Sequence, residues 1–285
     1  MASMRDIKRR RSSVSSIQQI TKAMKLVSTV KLQHAKTAVE HSKAYFRYMI
    51  QTLQEIIQKS PNITHRYLSK STEGKIAVLL ITSNRGLAGG YNSNVVKLIS
   101  RHPTWKQEDL VLYCAGHKGR DALARRGYTI VSDESKLLDE PTYDNARKLS
   151  TKLLEDFEKG EICEIHVAYT NFQNTVSHVP TLLPLLPVTI EEVQDETDDH
   201  ILMNFEPQEE EALNAIIPTY VSTLIYGAFL EAAASENGAR MQAMDSATGN
   251  AQEMIEDLAL LYNRARQGSI TQELTEIIAG AEAIS

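Results

Sequence analysis

The first sixty residues contain neither proline nor glycine, and this absence constrains the fold more than any other feature of the sequence. The first proline is Pro61 and the first glycine is Gly74. Because both residues break helices, so long a stretch without them favours one long helix. At 1.5 Å per residue that helix would be roughly 80 to 90 Å long, about twice the width of a compact domain of this size. We therefore expect a helix that projects from any globular part of the chain.

Apolar and small residues recur in this segment at alternating spacings of three and four, which is typical of a coiled-coil seam. The repeat runs through Val14, Ile17, Ile20, Met24, Val27 and Val30, and less regularly through Ala35, Ala38, Tyr45, Met49, Leu53 and Ile56. The end of the chain repeats the spacing after Pro218, at Tyr220, Leu224, Met241, Met244, Ala251, Ile255, Leu258, Tyr262 and Ala265. We expect the two segments to pair as antiparallel helices.

Charge is distributed unevenly between the two ends of the chain. Residues 1–60 carry twelve Lys and Arg against three Asp and Glu, whereas residues 205–285 carry three Arg against thirteen Asp and Glu. Opposite charges attract, so the pattern predicts a basic helix face packed against an acidic one. Five glycines interrupt the C-terminal segment, which predicts close backbone approach or bending at Gly227, Gly238, Gly249, Gly268 and Gly280.

The middle of the chain alternates between apolar strands and amphipathic helices. KIAVLLIT at 75–82 is an uninterrupted apolar run, and further strand patterns alternate with helix patterns up to EICEIHVAYTNF. Such runs predict a parallel sheet covered on both faces. The three prolines of SHVPTLLPLLPV restrict that segment to an edge strand, and residues 191–199 read as an acidic surface loop.

The predicted fold class is therefore α/β plus coiled coil. A long antiparallel two-helix coiled coil is formed by an N-terminal shaft helix, residues 1–60, and a C-terminal shaft helix, residues 208–285. A Rossmann-like α/β domain, residues 70–200, is inserted between them. Cys114 and Cys163 lie in apolar runs and are expected to be buried thiols without metal-ligand spacing. No apolar stretch approaches the ~20 residues of a transmembrane helix.

Three local features could indicate chemistry, and each also has a structural interpretation. The loop Gly86-Leu-Ala-Gly89-Gly90 follows a strand but matches no phosphate-binding motif, so a structural turn is favoured over nucleotide binding. The eight histidines form no chelating pair, and no metal or catalytic site is predicted. The cluster Arg5, Lys8, Arg9, Arg10 and Arg11 lacks interleaved aromatics, which argues against nucleic acid. A nucleotide-dependent enzyme and a coiled-coil adaptor or nucleic-acid scaffold remain the alternatives.

Three blocks of sequence resemble the gamma subunit of F-type ATP synthases, in the same order and spacing. They are SIQQITKAMKLVSTVKLQHA, TSNRGLAGGYN and the C-terminal SENGARMQAMDSATGN onward, including Ile270-Thr271-Gln272-Glu273, Glu276, Gly280-Ala281 and Ala283. Together they span essentially the whole chain. Two departures are Arg10-Arg11-Ser12-Ser13-Val14 near the start and Asn237-Gly238 where paired alanines are common, which puts helix stiffness there in doubt.

The resemblance implies a rotor shaft without a catalytic site or cofactor of its own. Mg-ATP and Mg-ADP would be bound by partner subunits. Partners would be the alpha and beta subunits, the epsilon subunit and the c ring, with one copy of the chain per complex on the cytoplasmic face of a bacterial plasma membrane. The implied interaction residues, for beta-subunit contact and coupling, are Met24, Lys22, Lys25, Lys31, Arg240, Arg266, Gln267, Thr271 and Glu273, with Met24 near Arg240 and the Arg266 region. The overshooting end of the C-terminal helix, residues 266–285, would sit in an apolar sleeve.

Overall fold

The computed structural model describes residues 3–59, 65–69, 73–138, 141–175, 177–188 and 209–282. Five helices and five strands occur in these residues: α1 (Met4–Lys59), β1 (Lys75–Ile81), α2 (Tyr91–Ser100), β2 (Leu110–Ala115), α3 (His117–Ala124), β3 (Thr129–Asp133), α4 (Tyr143–Glu158), β4 (Ile162–Phe172), β5 (His178–Leu186) and α5 (Glu209–Glu282). The predicted acidic loop at 191–199 lies outside the described residues. The predicted fold class is confirmed.

The chain divides into two compact units, and residues of both long helices belong to each unit. One unit comprises Met1–Thr29 with Arg240–Ser285, and the other comprises Val30–Ala239. The prediction placed 1–60 and 208–285 wholly in a coiled coil. In the structure, the second half of α1 and the first half of α5 belong to the unit that contains the sheet.

The sheet of the Val30–Ala239 unit has the strand order β3-β2-β1-β4-β5. The first four strands are parallel, and β5 pairs antiparallel with β4. Proline lacks the backbone N–H that a central strand requires, which is consistent with Pro180 and Pro184 lying in the edge strand β5. The central strand β1 is buried from Ala77 to Ile81, as its uninterrupted apolar run predicts.

Each face of the sheet is covered by a separate hydrophobic cluster. On one face, residues of the central strands pack with apolar side chains of α4 and of both long helices, among them Leu53, Ile56, Leu153, Ile217 and Phe229. On the other face, Val95 and Ile99 of α2 and Leu123 of α3 pack against β1 and β2. Cys114 belongs to this second cluster, and burial raises the pKa of its thiol to about 12, so it is not a reactive thiolate at neutral pH. Cys163 is also buried.

α5 has a stretch apolar enough to satisfy a membrane-span test by length and composition. Within Glu210–Ala281 one 18-residue window reaches a mean hydropathy of 1.4, and 50% of that window is buried inside the protein. Sequence inspection did not single out this window. Burial of half of it is what a helix that contributes to a protein core shows.

Gly116, between β2 and α3, has a position that only glycine can occupy. Its φ is 126°, and a Cβ atom there would lie 2.1 Å from the carbonyl oxygen of Thr82. The close approach lets Thr82 accept a hydrogen bond from the backbone N–H of Gly119 at 2.9 Å. Gly119 is also required, since a Cβ atom there would lie 2.6 Å from Thr82 Oγ1, so both glycines allow the first turn of α3 to approach the end of β1.

The other unit is held by an antiparallel seam between the first turns of α1 and the second half of α5. Gln18 donates from Nε2 to Oε1 of Gln252 at 2.7 Å, the Thr21 and Thr248 hydroxyls are 2.8 Å apart, and Lys25 Nζ lies 2.6 Å from Asp245 Oδ1. Each step forward along α1 is matched by a step backward along α5, which establishes the antiparallel direction.

A small apolar cluster continues the seam toward the start of α1. Ile7 and Val14 pack with Ala251 and Leu258, and the partly buried members are Ile255, Tyr262 and Ala265. Five of the predicted seam positions on α5, Ala251, Ile255, Leu258, Tyr262 and Ala265, lie in this cluster, whereas Tyr220 and Leu224 pack against the hydrophobic cluster of the sheet. On α1 the predicted position Val14 lies in the seam, but the prediction is wrong for Ile17, Ile20, Val27 and Val30, which are 52–58% exposed. Burial follows instead a seven-residue repeat of Ile7, Val14, Thr21 and Ser28.

We predict that replacing Gly116 by alanine lowers the free energy of unfolding by about 3 kcal/mol. The new methyl group must displace the Thr82 carbonyl, and the alanine backbone must keep a positive φ. Gly249→Ala is the matched control, since a Cβ there meets nothing within 4 Å. Alanine at this helical position should stabilise by up to about 1 kcal/mol. Urea unfolding measures both; equal midpoints would contradict the assignment of Gly116.

We also predict that Thr21 and Thr248 are energetically coupled. A double-mutant cycle with Thr21→Val and Thr248→Val should give a coupling free energy of about 1 kcal/mol that does not change with salt, because the hydroxyl pair is uncharged and Thr21 is buried. The corresponding cycle for Lys25→Ala and Asp245→Ala should give a smaller coupling that disappears in high salt, since that pair is exposed. Additive threonine variants would show that the seam does not depend on this contact.

Candidate functional site: the exposed faces of α1 and α5

Thr82, Ser83 and Asn84, which lie between β1 and the glycine-rich loop, are hydrogen-bonded to the chain's own polar groups. The first backbone amides of α3 are already bonded: His117 N–H to Asn84 Oδ1 at 3.2 Å, Lys118 N–H to the Ser83 carbonyl at 3.1 Å, and Gly119 N–H to Thr82. Asn92 Oδ1 accepts from the Ser83 backbone N–H at 2.8 Å. In the glycine-rich loop itself, the Tyr91 N–H donates to the Ala88 carbonyl at 3.2 Å and the Asn94 N–H to the Gly90 carbonyl at 2.9 Å. These bonds within the chain favour a structural turn over nucleotide binding.

Metal chemistry has no support in the described part of the chain. There, no group of three or more His, Cys, Asp or Glu side chains could hold an ion. His34 and His41 are exposed on α1, one heptad apart.

The first exposed surface of interest is a set of apolar side chains on α1 beside the seam. Ile17, Ile20 and Val27 lie on it, and each is more than half exposed. α1 therefore has an exposed apolar stripe in addition to its buried seam. The periodicity of the sequence could reveal both stripes but not which of them the chain itself covers.

The second exposed surface is the end of α5. Continuing the observed register, Met4 at the start of α1 lies level with about residue 266 of α5. The following residues, 267–282, therefore extend past the start of α1 by about 24 Å. Side chains from Arg266 to Ala281 are exposed, except for the half-buried Ser269. This agrees with the overshoot expected from the sequence; the last residues, 283–285, lie outside the described part.

The overhanging end of α5 has an apolar stripe. Its members are spaced at i, i+4, i+7 and i+8, which places them on one side of the helix. They are between 49% and 68% exposed: Ile270, Leu274, Ile277 and Ile278. We call these four residues the tip stripe. An apolar stripe on a helix without a partner helix is a surface that another protein would cover.

Charged residues of α1 point mostly to solvent rather than toward α5. Lys22 and Lys31 are exposed, as are Arg5, Lys8, Arg9, Arg10 and Arg11. In the described residues, Lys25 forms a close ion pair across the seam, with Asp245. The prediction of a basic face packed against an acidic face is therefore wrong. Apart from the Lys25–Asp245 pair, the described seam contacts join apolar, hydroxyl and amide groups, which avoids the cost of desolvating charges.

The predicted interaction residues are not brought together in one place. Met24 and Arg240 are half-buried, whereas Arg266, Gln267, Thr271 and Glu273 are exposed. Thr271 Oγ1 donates to the Gln267 carbonyl at 2.9 Å, within the helix.

The expected proximity of Met24 to the Arg266 region is wrong. Met24 lies level with about residue 246 of α5 in the observed register. Arg266 is some twenty residues further along α5, or about 30 Å at the helical rise. The two residues were associated by resemblance, and only the antiparallel register shows how far apart they lie.

The sequence of this chain is similar to those of known proteins over nearly its whole length. The family model described as ATP synthase matches residues 3–284. A relative from Lachnoclostridium phytofermentans, named ATP synthase gamma chain, is 58% identical and aligns over 100% of both chains. A relative from Acetobacterium woodii, named ATP synthase gamma chain, sodium ion specific, is 40% identical over 99% of both chains.

Solved structures share the fold at low sequence identity. A chain of the Tetrahymena thermophila mitochondrial ATP synthase, from its central stalk and c ring, aligns with a TM-score of 0.61 at 22% identity over 80% of this chain and 99% of that chain. A chain of the Euglena gracilis mitochondrial ATP synthase gives a TM-score of 0.58 at 17% identity, over 92% and 95% of the two chains. With full-length relatives and two exposed apolar helix surfaces, the chain belongs to the gamma chains of ATP synthase, the non-catalytic rotor-shaft subunits of that complex.

Proposed function

We propose that the paired helices of this chain turn inside a hexamer of alpha and beta subunits and couple ion-driven rotation to ATP synthesis. Membership of the gamma chain family supports this role. The observation in the structure that favours it most is that apolar side chains on α1 and on the tip stripe remain exposed after the chain has folded. A shaft surrounded by other subunits would need such surfaces, whereas a shaft in free solvent would not.

The tip stripe is proposed to turn in an apolar sleeve of the hexamer. Apolar contact is non-directional, so a helix end held this way can rotate without breaking oriented hydrogen bonds. Arg266, Gln267, Thr271 and Glu273 lie on or before this segment and are proposed to contact the beta subunit. Met24, Lys22, Lys25, Lys31 and Arg240 are proposed to contact it lower on the shaft.

The α/β domain is proposed to contact the epsilon subunit and the c ring. Mg-ATP and Mg-ADP would be bound by the partner subunits, with one copy of this chain per complex. We place the complex at the cytoplasmic face of a bacterial plasma membrane, with the chain peripheral to the membrane. We propose protons as the coupling ion; because the name of the Acetobacterium woodii relative specifies sodium, reconstituted vesicles with a proton or a sodium gradient would distinguish the two.

Reconstitution tests the role as a whole. The chain is mixed with alpha and beta subunits of a bacterial ATP synthase, and the complex is isolated and assayed for ATP hydrolysis. We expect one copy of the chain per hexamer and ATPase activity that depends on its presence. A hexamer that forms without incorporating the chain would contradict the proposal.

We predict that negative charge on the tip stripe prevents the end of α5 from binding stably in the alpha and beta hexamer. Leu274→Asp with Ile277→Asp should weaken binding to the alpha and beta hexamer by at least about a hundredfold, because each burial of a carboxylate in an apolar sleeve costs more than about 1.4 kcal/mol, or about a factor of ten. Gln272→Asp with Thr275→Asp is the control, since it adds the same charge on the other side of the helix. Equal affinities of the two variants would exclude an apolar sleeve around the stripe.

We also predict that the lysines of α1 contribute to coupling by passing acidic groups on the beta subunit. Replacing Lys22, Lys25 and Lys31 by alanine should lower the ratio of ions pumped to ATP hydrolysed in reconstituted vesicles. The single variant Lys25→Ala separates the loss of its Asp245 ion pair from the loss of surface charge. A control triple variant carries alanine at Lys97, Lys106 and Lys136 of the α/β domain. Unchanged coupling in the α1 triple variant would contradict this role.

A further inference from the structure

One face of α5 contacts the adjoining ends of β4 and β5 through an unusual set of residues. Glu231, Ser235 and Gly238 are spaced at i, i+4 and i+7, so they share that face. Ser235 Oγ donates to the Thr170 carbonyl at 3.1 Å. We use the name strand-end clamp for the three residues of α5 together with their strand partners, Tyr169, Thr170, Phe172 and His178.

The imidazole of His178 occupies the place where a side chain of residue 238 would lie. A Cβ atom built on Gly238 would be 2.7 Å from Cε1 and 3.1 Å from Nε2 of His178. The sequence suggested that Asn237-Gly238 loosens the helix. The structure shows instead that Gly238 is the close backbone approach that admits the histidine ring.

His178 is held in surroundings that suit only its neutral form. Both ring nitrogens are buried and make no well-aligned hydrogen bond within the described residues. Burial lowers the pKa of His178, and the backbone of Thr175 offsets part of this effect. The Phe172 ring lies 6.2 Å from the imidazole, centroid to centroid, so an apolar group flanks it.

Glu231, at the other end of the clamp, has the opposite dependence on pH. Its carboxyl is bonded to the Tyr169 hydroxyl and to the Phe172 backbone, but Oε2 is buried without a partner. Burial raises the pKa of Glu231, while the hydrogen bonds and Lys43 of α1 act against that shift. The other charged groups near the clamp are Glu236 and Arg240, which flank Gly238 on α5.

We propose that the strand-end clamp is a proton-operated contact that holds α5 against the sheet while His178 is neutral and loosens when the imidazole takes up a proton. A charged imidazole needs hydrogen-bond acceptors or water, and His178 has little of either at its two ring nitrogens, which are buried. The contact is complete above the ordinary pKa of histidine, about 6.5, and is lost as the pH falls toward the lowered pKa of the clamped residue. This consequence rests on the proposed shaft function: a fall in the pH inside the cell would weaken the packing of α5 against the sheet of the α/β domain.

Hydrogen exchange of the full chain tests the proposal in a Glu231→Gln background, which removes the opposing titration. Protection of amides 231–238 is compared with that of β1 amides from about pH 7.5 to about pH 5.5, after correction for the intrinsic rates. We expect the relative protection to fall on acidification, by at most about tenfold per pH unit for one proton. A second variant that adds His178→Asn should abolish this dependence. A pH-independent ratio, or one that His178→Asn leaves unchanged, would overturn the proposal.

A compensating pair of variants tests the geometry separately from pH. Gly238→Ala should reduce protection of amides 231–238 at neutral pH, because the methyl group collides with the imidazole. Adding His178→Ala should restore that protection, since it removes the colliding ring, and should also make it independent of pH. If Gly238→Ala reduced protection equally with and without His178, the ring would not be the partner of Gly238 and the clamp would be wrong.

Discussion

The antiparallel register between α1 and α5 is the constraint on which the account of this chain depends. It is set by Gln18 with Gln252 and by Thr21 with Thr248, contacts whose partners are 2.7 and 2.8 Å apart. Paired hydroxyl and amide groups fix register better than interchangeable apolar contacts do, because a slip leaves a polar group without its partner. The register also determines that the last sixteen or so residues of α5 have no partner helix within the described residues, which leaves the tip stripe exposed.

Much of the fold could be predicted because its signals are strong and local. The absence of breakers before Pro61 predicted α1, and the apolar run at 75–82 predicted the buried central strand. Heptad spacing located the seam on α5 but not on α1, where Ile17 and Ile20 compete with Thr21 for the same role. Isoleucine is buried more often than threonine in proteins, whereas the structure buries Thr21 and leaves Ile17 and Ile20 exposed.

Features that depend on contacts between distant parts of the chain could not be predicted from the sequence. The net charges of the two ends suggested an electrostatic seam, yet charge counts do not reveal which side of a helix carries the charge. Gly238 was expected to loosen the helix because the residue that requires a glycine there, His178, lies 60 residues earlier in the chain. The distance between Met24 and Arg266 likewise follows only from the register. The interaction residues carried over by resemblance stay predictions, since no partner subunit tests them.

Rotation is the property that distinguishes a shaft from a static stalk. The most direct measurement fixes alpha and beta hexamers to a surface, attaches a visible probe to the α/β domain of this chain, and follows the probe after ATP is added. We expect sustained rotation in one direction that stops when ATP is exhausted, and slippage or loss of the probe when the tip stripe carries Leu274→Asp with Ile277→Asp. Hydrolysis of ATP by the hexamer while the probe only fluctuates about one position would contradict the account.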